Sequence, residues 1–391
     1  MAETLGLGHG CEESKAGTLA IGVALLIVGA SWAGVQGVGR AFSPSLAVVG
    51  GGPSDAFAMA PNGSFPTPIR HVVVVLEENQ NYSRVLAQGS FEAYLAARYA
   101  TATNDYSIQH GSVPAYEAAT SGIARGKPPN NVLNLGDLAD AAGLSWAAFE
   151  QGMPIPCDTT LNWTDGYDTY HNPFIMYDDI VNNTARCNAH DLTWASWTSD
   201  VAANALPNYS FITPNVTNDD HNSSVRVGDA WLQSWLGPLV NDSAIFSTTA
   251  FLITFDEDAG NAQDTPVVNG TTGGQVYTVI VSPYSRDLSS AAFYTTYSLL
   301  TTAEWLLGIP GGSLGNDSWT LHPPMKDLFS FQSGSPPSLG PWTLDYVIGG
   351  EVLVGAAIGL FVTLMLRRGT SALAPATFPS HSAENPPWAV S

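Results

Sequence analysis

The stretch that decides the fold covers residues 69–79 and reads IRHVVVVLEEN. Its first eight residues form a run rich in β-branched side chains, which is typical of a strand covered on both faces of a sheet. Three shorter runs have the same character, at 209–213 (YSFIT), 250–255 (AFLITF) and 276–282 (VYTVIVS). The sequence therefore predicts at least four buried strands.

Helical patterns lie between these strands, at 132–142, 228–239 and 295–307. Gly143 and Gly308 directly follow the first and third of them, as expected at helix C-termini. The alternation of strands and helices predicts an α/β domain with a mostly parallel sheet. In such sheets, ligands bind beyond the carboxyl ends of the strands.

The composition narrows the class of protein. The chain has 391 residues, with 34 acidic against 13 basic side chains and a net charge of −21. A charge this negative repels nucleic acid backbones, so we expect no DNA or RNA partner. Hydrophobic residues make up 45% of the chain, which argues against disorder, and three cysteines are too few for a disulfide scaffold.

Both ends of the chain carry long apolar segments. Residues 17–39 are uncharged and about long enough to span a bilayer, and residues 346–366 are similar apart from Glu351. Arg367 and Arg368 follow the second segment, which places that end in the cytoplasm by the positive-inside rule. The first segment is interpreted as a retained anchor, and a cleaved signal peptide is the alternative.

This topology predicts a cytoplasmic tail (1–16), a first span (17–39), a flexible stalk (40–68), an extracytoplasmic domain (69–331), a linker (332–345), a second span (346–366) and a disordered cytoplasmic tail (367–391). Asn-x-Ser/Thr acceptor motifs are confined to the external part. They begin at Asn62, Asn81, Asn162, Asn182, Asn208, Asn215, Asn222, Asn241, Asn269 and Asn316. An oxidising exterior also permits a disulfide between Cys157 and Cys187, with Cys11 left free.

Acidic clusters follow two of the predicted strands, at residues 77–79 (EEN) and 256–258 (DED). Strand ends of a parallel sheet meet at one edge, where converging carboxylates repel each other unless a cation lies between them. Hard oxygen ligands suit a divalent metal ion. The alternative is that both clusters are ordinary polar loops.

A third candidate is Ser112, in the segment Gly111-Ser-Val-Pro114 ahead of a helical pattern. Ser is a good N-cap and Pro is favoured in the first turn of a helix. A hydroxyl at a helix N-terminus lies beside free N–H groups that can bind phosphate. The alternative is a plain N-cap without a ligand.

Eight segments in order carry a resemblance: HVVVVLEEN, GSVPAYEAATSG, HNPF, FITPNVTNDDH, GDAWL, FLITFDED, VIVSPYS and YSLLTTAEWLLGIP. Together they resemble the phosphoesterase family of acid phosphatases and phospholipases C, within the alkaline phosphatase superfamily. The resemblance covers most of residues 69–329. It implies an α/β/α sandwich with an alkaline-phosphatase-like, mostly parallel central sheet, here flanked by one transmembrane helix at each end.

The resemblance also implies roles for individual residues. Ser112 falls on the family's nucleophile, although Ala115 replaces an Asn of the usual pattern. The residues that match ligands of one divalent metal ion are Glu78, Asn79, Ser112, Asp256 and Glu257. His171 and His221 match histidines near the phosphate, and Asp219 is expected to orient His221 or to bind metal. Thr296 stands where two-metal relatives have a histidine, so one metal ion is expected.

The function expected from this resemblance is that of a membrane-tethered, extracytoplasmic, metal-dependent phosphomonoesterase of the acid phosphatase type. Its partners would be a phosphate ester substrate and the lipid bilayer. Phospholipase C activity on a membrane diester is the first alternative. A cell-surface binding protein that keeps the fold without activity is the second.

Overall fold

The computed structural model describes residues 65–128, 130–260 and 265–331. The strands are β1 (His71–Glu77), β2 (Ala100–Ala102), β3 (Asp105–Tyr106), β4 (Trp146–Glu150), β5 (Asp191–Thr193), β6 (Tyr209–Thr213), β7 (Thr249–Phe255), β8 (Thr278–Val281), β9 (Ser289–Ser290) and β10 (Tyr294–Thr295). The α-helices are α1 (Tyr82–Gln88), α2 (Ser90–Arg98), α3 (Ser112–Ser121), α4 (Leu135–Ala142), α5 (Asp178–Val181), α6 (Thr184–His190), α7 (Trp194–Ala203), α8 (Val225–Leu239), α9 (Ser243–Phe246) and α10 (Thr296–Leu307).

Eight strands form one sheet in the order β5-β4-β6-β1-β7-β8-β2-β9, and β10 pairs with β3 in a second, two-stranded sheet. Five adjacent strands run parallel to one another, in the order β5, β4, β6, β1 and β7. Strand β8 runs antiparallel to both β7 and β2. The predicted α/β class with a mostly parallel central sheet is therefore confirmed.

Strand β1 lies in the middle of the parallel part, and its side chains alternate between two cores because successive residues of a strand point to opposite faces. Val72, Val74 and Leu76 belong to one hydrophobic core, which includes side chains of α3, α4 and α10. Val73 and Val75 belong to the other, which includes side chains of α2, α7 and α8. Helices thus cover both faces of the sheet, as in the predicted sandwich.

The boundaries of the predicted elements shift where local contacts decide them. Strand β1 extends to Glu77 because this residue still pairs with Phe255 of β7. Helix α4 begins at Leu135 rather than at residue 132, because Asn134 caps it and accepts hydrogen bonds from two backbone N–H groups. Strand β4 was not predicted, since its sequence WAAFE lacks β-branched residues, yet it is completely buried between β5 and β6.

The disulfide between Cys157 and Cys187 is confirmed, with Cα atoms 5.4 Å apart. It joins the loop after β4 to helix α6, and the HNPF segment lies between the two cysteines in sequence. Cys11 lies outside the described residues.

The predicted membrane spans at 17–39 and 346–366 also lie outside the described residues, as do most of the stalk, the linker and both tails. Within the described ranges, no helix has the length and apolarity needed to cross a bilayer. The boundaries of the predicted segments stay predictions.

Candidate active site

The two predicted acidic clusters meet at the carboxyl ends of β1 and β7. Because Glu77 pairs with Phe255, the residues after each strand leave the sheet side by side. The backbone N–H of Asp256 donates to the carbonyl oxygen of Glu77 at 2.9 Å. Asn79, whose backbone is left-handed at φ 57°, donates its N–H to Asp256 Oδ1 at 2.9 Å. The parallel pairing therefore places Asn79 against the Asp256 carboxylate.

Ser112 joins this group from the first turn of α3. Its Oγ donates to Glu78 Oε2 at 3.2 Å, and Asn79 Nδ2 donates to the same oxygen at 2.9 Å. Gly111, not Ser112, occupies the N-cap position, and its φ of 105° is one that only glycine adopts easily. The Ser112 hydroxyl thus points at Glu78 instead of capping its helix.

The Glu257 side chain contacts the loop that precedes Ser112. Its Oε2 accepts hydrogen bonds from the Gly111 backbone N–H and lies 2.9 Å from His110 Nδ1. His110 Nε2 in turn lies 2.8 Å from Thr265 Oγ1. One carboxylate oxygen of Glu257 therefore holds the loop that carries Ser112. The contact of His110 with Glu257 could not be predicted, because an isolated histidine in a sequence gives no indication of its partner.

The two predicted histidines lie on the other side of Glu78. His171 Nε2 is 3.5 Å from Glu78 Oε1, and His221 Nδ1 is 3.5 Å from Glu78 Oε2. Asp219 contacts both histidines: its Oδ2 is 3.3 Å from His171 Nδ1, and its Oδ1 accepts the backbone N–H of His221 at 2.8 Å. The His171 ring is buried and stacks on Tyr116, whereas the His221 side chain is 43% exposed.

Burial and crowding of these charges change their proton affinities. Burial raises the pKa of Glu78 to about 7, in spite of the nearby His171. Burial together with Glu78 and Glu257 raises the pKa of Asp256 well above its usual value. Burial alone would lower the pKa of His171, but Glu78 and Asp219 outweigh it and raise this pKa to about 10. Negative charge is therefore in excess at this end of the sheet.

The donor set fits a divalent cation. Glu78 Oε1 and Asp256 Oδ2 are buried and lack a hydrogen-bond donor among the described residues. Buried carboxylate oxygens in that condition need a proton or a metal ion. Glu78, His171 and His221 also offer ligand atoms that lie within 4.8 Å of one another. Glu78 thus lies between the predicted oxygen ligands and the two histidines.

Thr296 is the first residue of α10, and its Oγ1 accepts a hydrogen bond from the Ile108 backbone N–H at 3.3 Å. Its side chain therefore anchors the segment that leads to Ser112. The expectation of a single metal ion stays a prediction.

A model of the Phosphoesterase family matches residues 87–310. The chain belongs to that family. This confirms the resemblance drawn from the eight sequence segments. The matched range contains Ser112, Asp256 and Glu257, and residues 77–79 precede it.

Several curated proteins are similar to this chain. An acid phosphatase of Aspergillus fumigatus is 31% identical over 61% of the chain and 54% of its own length. A phosphatidylinositol-3-phosphatase of Mycobacterium tuberculosis is 26% identical over 66% of the chain and 82% of its own length. Phospholipase C B of the same organism is 27% identical over 30% of the chain and 22% of its own length. These relatives are hydrolases of phosphoric ester bonds, the enzyme class predicted from the sequence.

The chain spans about half the length of the fungal acid phosphatase that it matches. Among solved structures, a protein in the alkaline phosphatase superfamily from Vibrio parahaemolyticus aligns with a TM-score of 0.47 at 13% identity. That alignment covers 66% of this chain and 74% of the other.

Proposed function

We propose that this chain is a metal-dependent phosphomonoesterase of the acid phosphatase type that acts through a phosphoserine at Ser112. One observation carries the proposal. The Ser112 hydroxyl, at the start of a buried helix, donates to the fully buried carboxylate of Glu78, which also contacts Asn79 and two histidines. The site thus brings together a nucleophile (Ser112), a group that can take its proton (Glu78) and two candidate acids (the histidines).

In the first step, Ser112 Oγ attacks phosphorus, and its proton passes to Glu78 Oε2, the atom to which the hydroxyl already donates. The new O–P bond forms as the bond to the leaving alkoxide breaks. Serine is a weak nucleophile at neutral pH, so it must be activated. A divalent cation held by Glu78, Asn79 and Asp256 would supply positive charge that activates the hydroxyl and stabilises the phosphoryl oxygens.

The histidines have separate tasks in this mechanism. His171 is fixed between Glu78 and Asp219, so it donates to a phosphoryl oxygen from a rigid position. His221 lies at the exposed mouth of the site, where it protonates the leaving alkoxide. Water then attacks the phosphorus of the phosphoserine and His221 accepts a proton from that water. The Ser112 Oγ–P bond breaks, Glu78 returns the proton to Oγ, and phosphate leaves.

The test is turnover of a chromogenic phosphomonoester and of its matching diester by the full chain, with and without a chelator. The proposal expects chelator-sensitive hydrolysis of the monoester. Preferential hydrolysis of the diester would instead support phospholipase C activity, the alternative to which the similarity to phospholipase C B points. A folded chain that hydrolyses neither ester would support the inactive binding protein.

We also propose that residues 17–39 and 346–366 tether the enzyme to a membrane with its body outside and both termini in the cytoplasm. Support comes from Arg367 and Arg368 and from the disulfide, which persists in an oxidising exterior. The acceptor residues Asn182, Asn222 and Asn241 are exposed, as glycosylation requires. Protease added to intact cells should digest the body and leave both tails protected. A protected body contradicts this topology.

A further inference from the structure

Three aromatic rings form a continuous stack beside Glu78, and we refer to Tyr116, His171 and His221 as the ring stack. Tyr116 stacks on His171 with ring centroids 5.7 Å apart and an interplanar angle of 5°. His171 stacks on His221 with centroids 5.6 Å apart and an angle of 21°. Both separations lie in the range in which stacked aromatic rings attract each other. Because Tyr116 is completely buried and the His221 side chain is 43% exposed, the stack runs from the core to the mouth of the site.

The contacts of the His171 nitrogen atoms leave the plane of the ring open. Nε2 lies 3.5 Å from Glu78 Oε1 and Nδ1 lies 3.3 Å from Asp219 Oδ2, and Nδ1 makes no hydrogen bond within the described part of the chain. A ring held only at these two atoms can still rotate about the line that joins them. The Tyr116 ring lies nearly parallel against one face of His171, so it opposes that rotation.

Tyr116 is itself anchored to the elements that carry the reacting groups. It follows Ser112 by four residues on α3, and residues with this spacing lie on the same face of a helix. Its hydroxyl donates to the Leu76 carbonyl oxygen of β1 at 3.5 Å, two residues before Glu78. Its ring also contacts Phe211 of β6, with centroids 6.1 Å apart. The helix that carries the proposed nucleophile thus also carries the base of the ring stack.

His221 is held by the same stack at its exposed end. One edge of its ring faces Glu78, since Nδ1 lies 3.5 Å from Oε2, and one face of the ring lies against His171. An exposed side chain otherwise samples several rotamers, so a contact that favours one of them fixes its direction. The orientation of His221 therefore depends on the plane of His171, and that plane depends on Tyr116.

We propose that Tyr116 is a positioning residue, which orients His171 and, through it, His221 by ring stacking. The proposal rests on the proposed function, in which His221 protonates the leaving alkoxide. Tyr116 is completely buried, so it acts through the histidines and not on the substrate. An alkoxide leaving group needs that proton, whereas a nitrophenolate is stable enough to leave without it. Esters with these two leaving groups therefore report separately on the position of His221.

The experiment measures kcat and KM of the full chain for ethyl phosphate and for 4-nitrophenyl phosphate. Tyr116→Leu removes the ring. We expect kcat for ethyl phosphate to fall at least about tenfold, kcat for 4-nitrophenyl phosphate to fall by no more than about threefold, and both KM values to stay within about twofold, because a misplaced general acid slows only the ester that needs it. Tyr116→Phe keeps the ring and loses the hydroxyl, so it should hydrolyse ethyl phosphate within about threefold of the wild-type kcat.

The matched control is Tyr209→Leu. Tyr209 is also a completely buried tyrosine of the same hydrophobic core, but it begins β6 and so lies at the end of the sheet opposite to the active site. This variant should lose stability and keep the wild-type ratio of the two kcat values. If Tyr116→Leu lowers kcat for both esters by the same factor, Tyr116 only supports the core and the proposal is overturned. A wild-type chain that hydrolyses neither ester overturns the proposed function, which is a separate result.

If Tyr116→Leu does not fold, Tyr116→Met takes its place with the same expectation, since the flexible methionine side chain fills irregular core space without a ring. If neither variant folds, Tyr116→Phe decides alone. A kcat for ethyl phosphate within about threefold of the wild type supports the stacking role. A larger loss shows that the hydroxyl, and not the ring, positions the site, and it overturns the proposal.

Discussion

Reduction of the Cys157–Cys187 bond should lower the stability of the domain by a predictable amount. The bond closes a loop across a sequence separation of 30. In the chain-entropy model, cross-linking a loop of this length stabilises the folded state by about 3.6 kcal/mol at 25 °C, because the unfolded chain loses that much conformational freedom. For a domain of this size, the loss corresponds to a fall in the thermal midpoint of roughly 10 °C.

The assay compares urea unfolding of the oxidised and the reduced chain, followed by tryptophan fluorescence and circular dichroism. A Cys11→Ser background prevents disulfide exchange with the third cysteine. The reduced chain keeps both sulfur atoms, so the comparison isolates the cross-link from the packing of Cys187, which is completely buried. The variant Cys157→Ala/Cys187→Ala should lose additional stability through that packing.

The same reduction should lower kcat, because the HNPF segment lies inside the closed loop. His171 begins that segment, and the neighbouring Asn172 donates to the Asp191 carboxylate at 3.0 Å. The backbone carbonyl oxygen of Asp191 accepts the Cys157 backbone N–H at 3.0 Å, so Asp191 contacts both a disulfide-bonded cysteine and the HNPF segment. A change in unfolding free energy below about 1 kcal/mol would refute the reasoning, since it would mean that other contacts already restrict the loop.

Three further predictions concern single side chains. Ser112→Ala should reduce phosphomonoester turnover by at least about 10³-fold while a metal ion still binds, because the nucleophile is lost but the carboxylates remain; rapid-quench trapping should find no phosphoserine. Glu257→Gln should lower kcat more than it raises KM, since it weakens the hydrogen bond that holds Gly111 and with it the Ser112 hydroxyl; equal effects on both would contradict this. Glu304→Gln should flatten the pH dependence of stability. Burial raises the pKa of Glu304 from 4.5 to about 9, so the wild type loses stability as pH rises between these values, whereas the variant has no proton to lose there. Urea midpoints at several pH values measure this difference.

The convergence of the acidic edge could be predicted from the sequence because it depends only on strands. Residues 69–76 and 250–255 each signal a buried strand, and neighbouring parallel strands place their carboxyl ends together. The actual neighbours, β6 on one side of β1 and β7 on the other, came from the structure. The strand pattern therefore suffices to predict that Glu78, Asn79 and Asp256 lie close together.

The rest of the site depends on loops and helix packing, for which the sequence has no local signal. To predict the contact between Glu257 and His110, one must know where the segment after β3 runs. The pairing of Tyr106 with Thr295 directs this segment, and the sequence gives no sign of that pairing. The hydrogen bond from the Glu92 N–H to Asp229 Oδ1 joins α2 and α8, two helices whose packing cannot be derived from their own residues. A hydrophobic pattern predicts that a helix is buried, but not which carboxylate it brings to its neighbour.

Adjacent residues at the end of β1 face opposite sides of the sheet at the active-site edge. Glu78, together with Asp219, faces His171, whereas Glu77 lies against Glu92 of α2. The backbone N–H of Glu78 donates to the Asp219 carbonyl oxygen at 2.7 Å, so the two segments are joined directly beside the site. This hydrogen bond fixes the spacing between the Glu78 carboxylate and the Asp219 carboxylate, and it is this spacing that holds His171 in a single position between them.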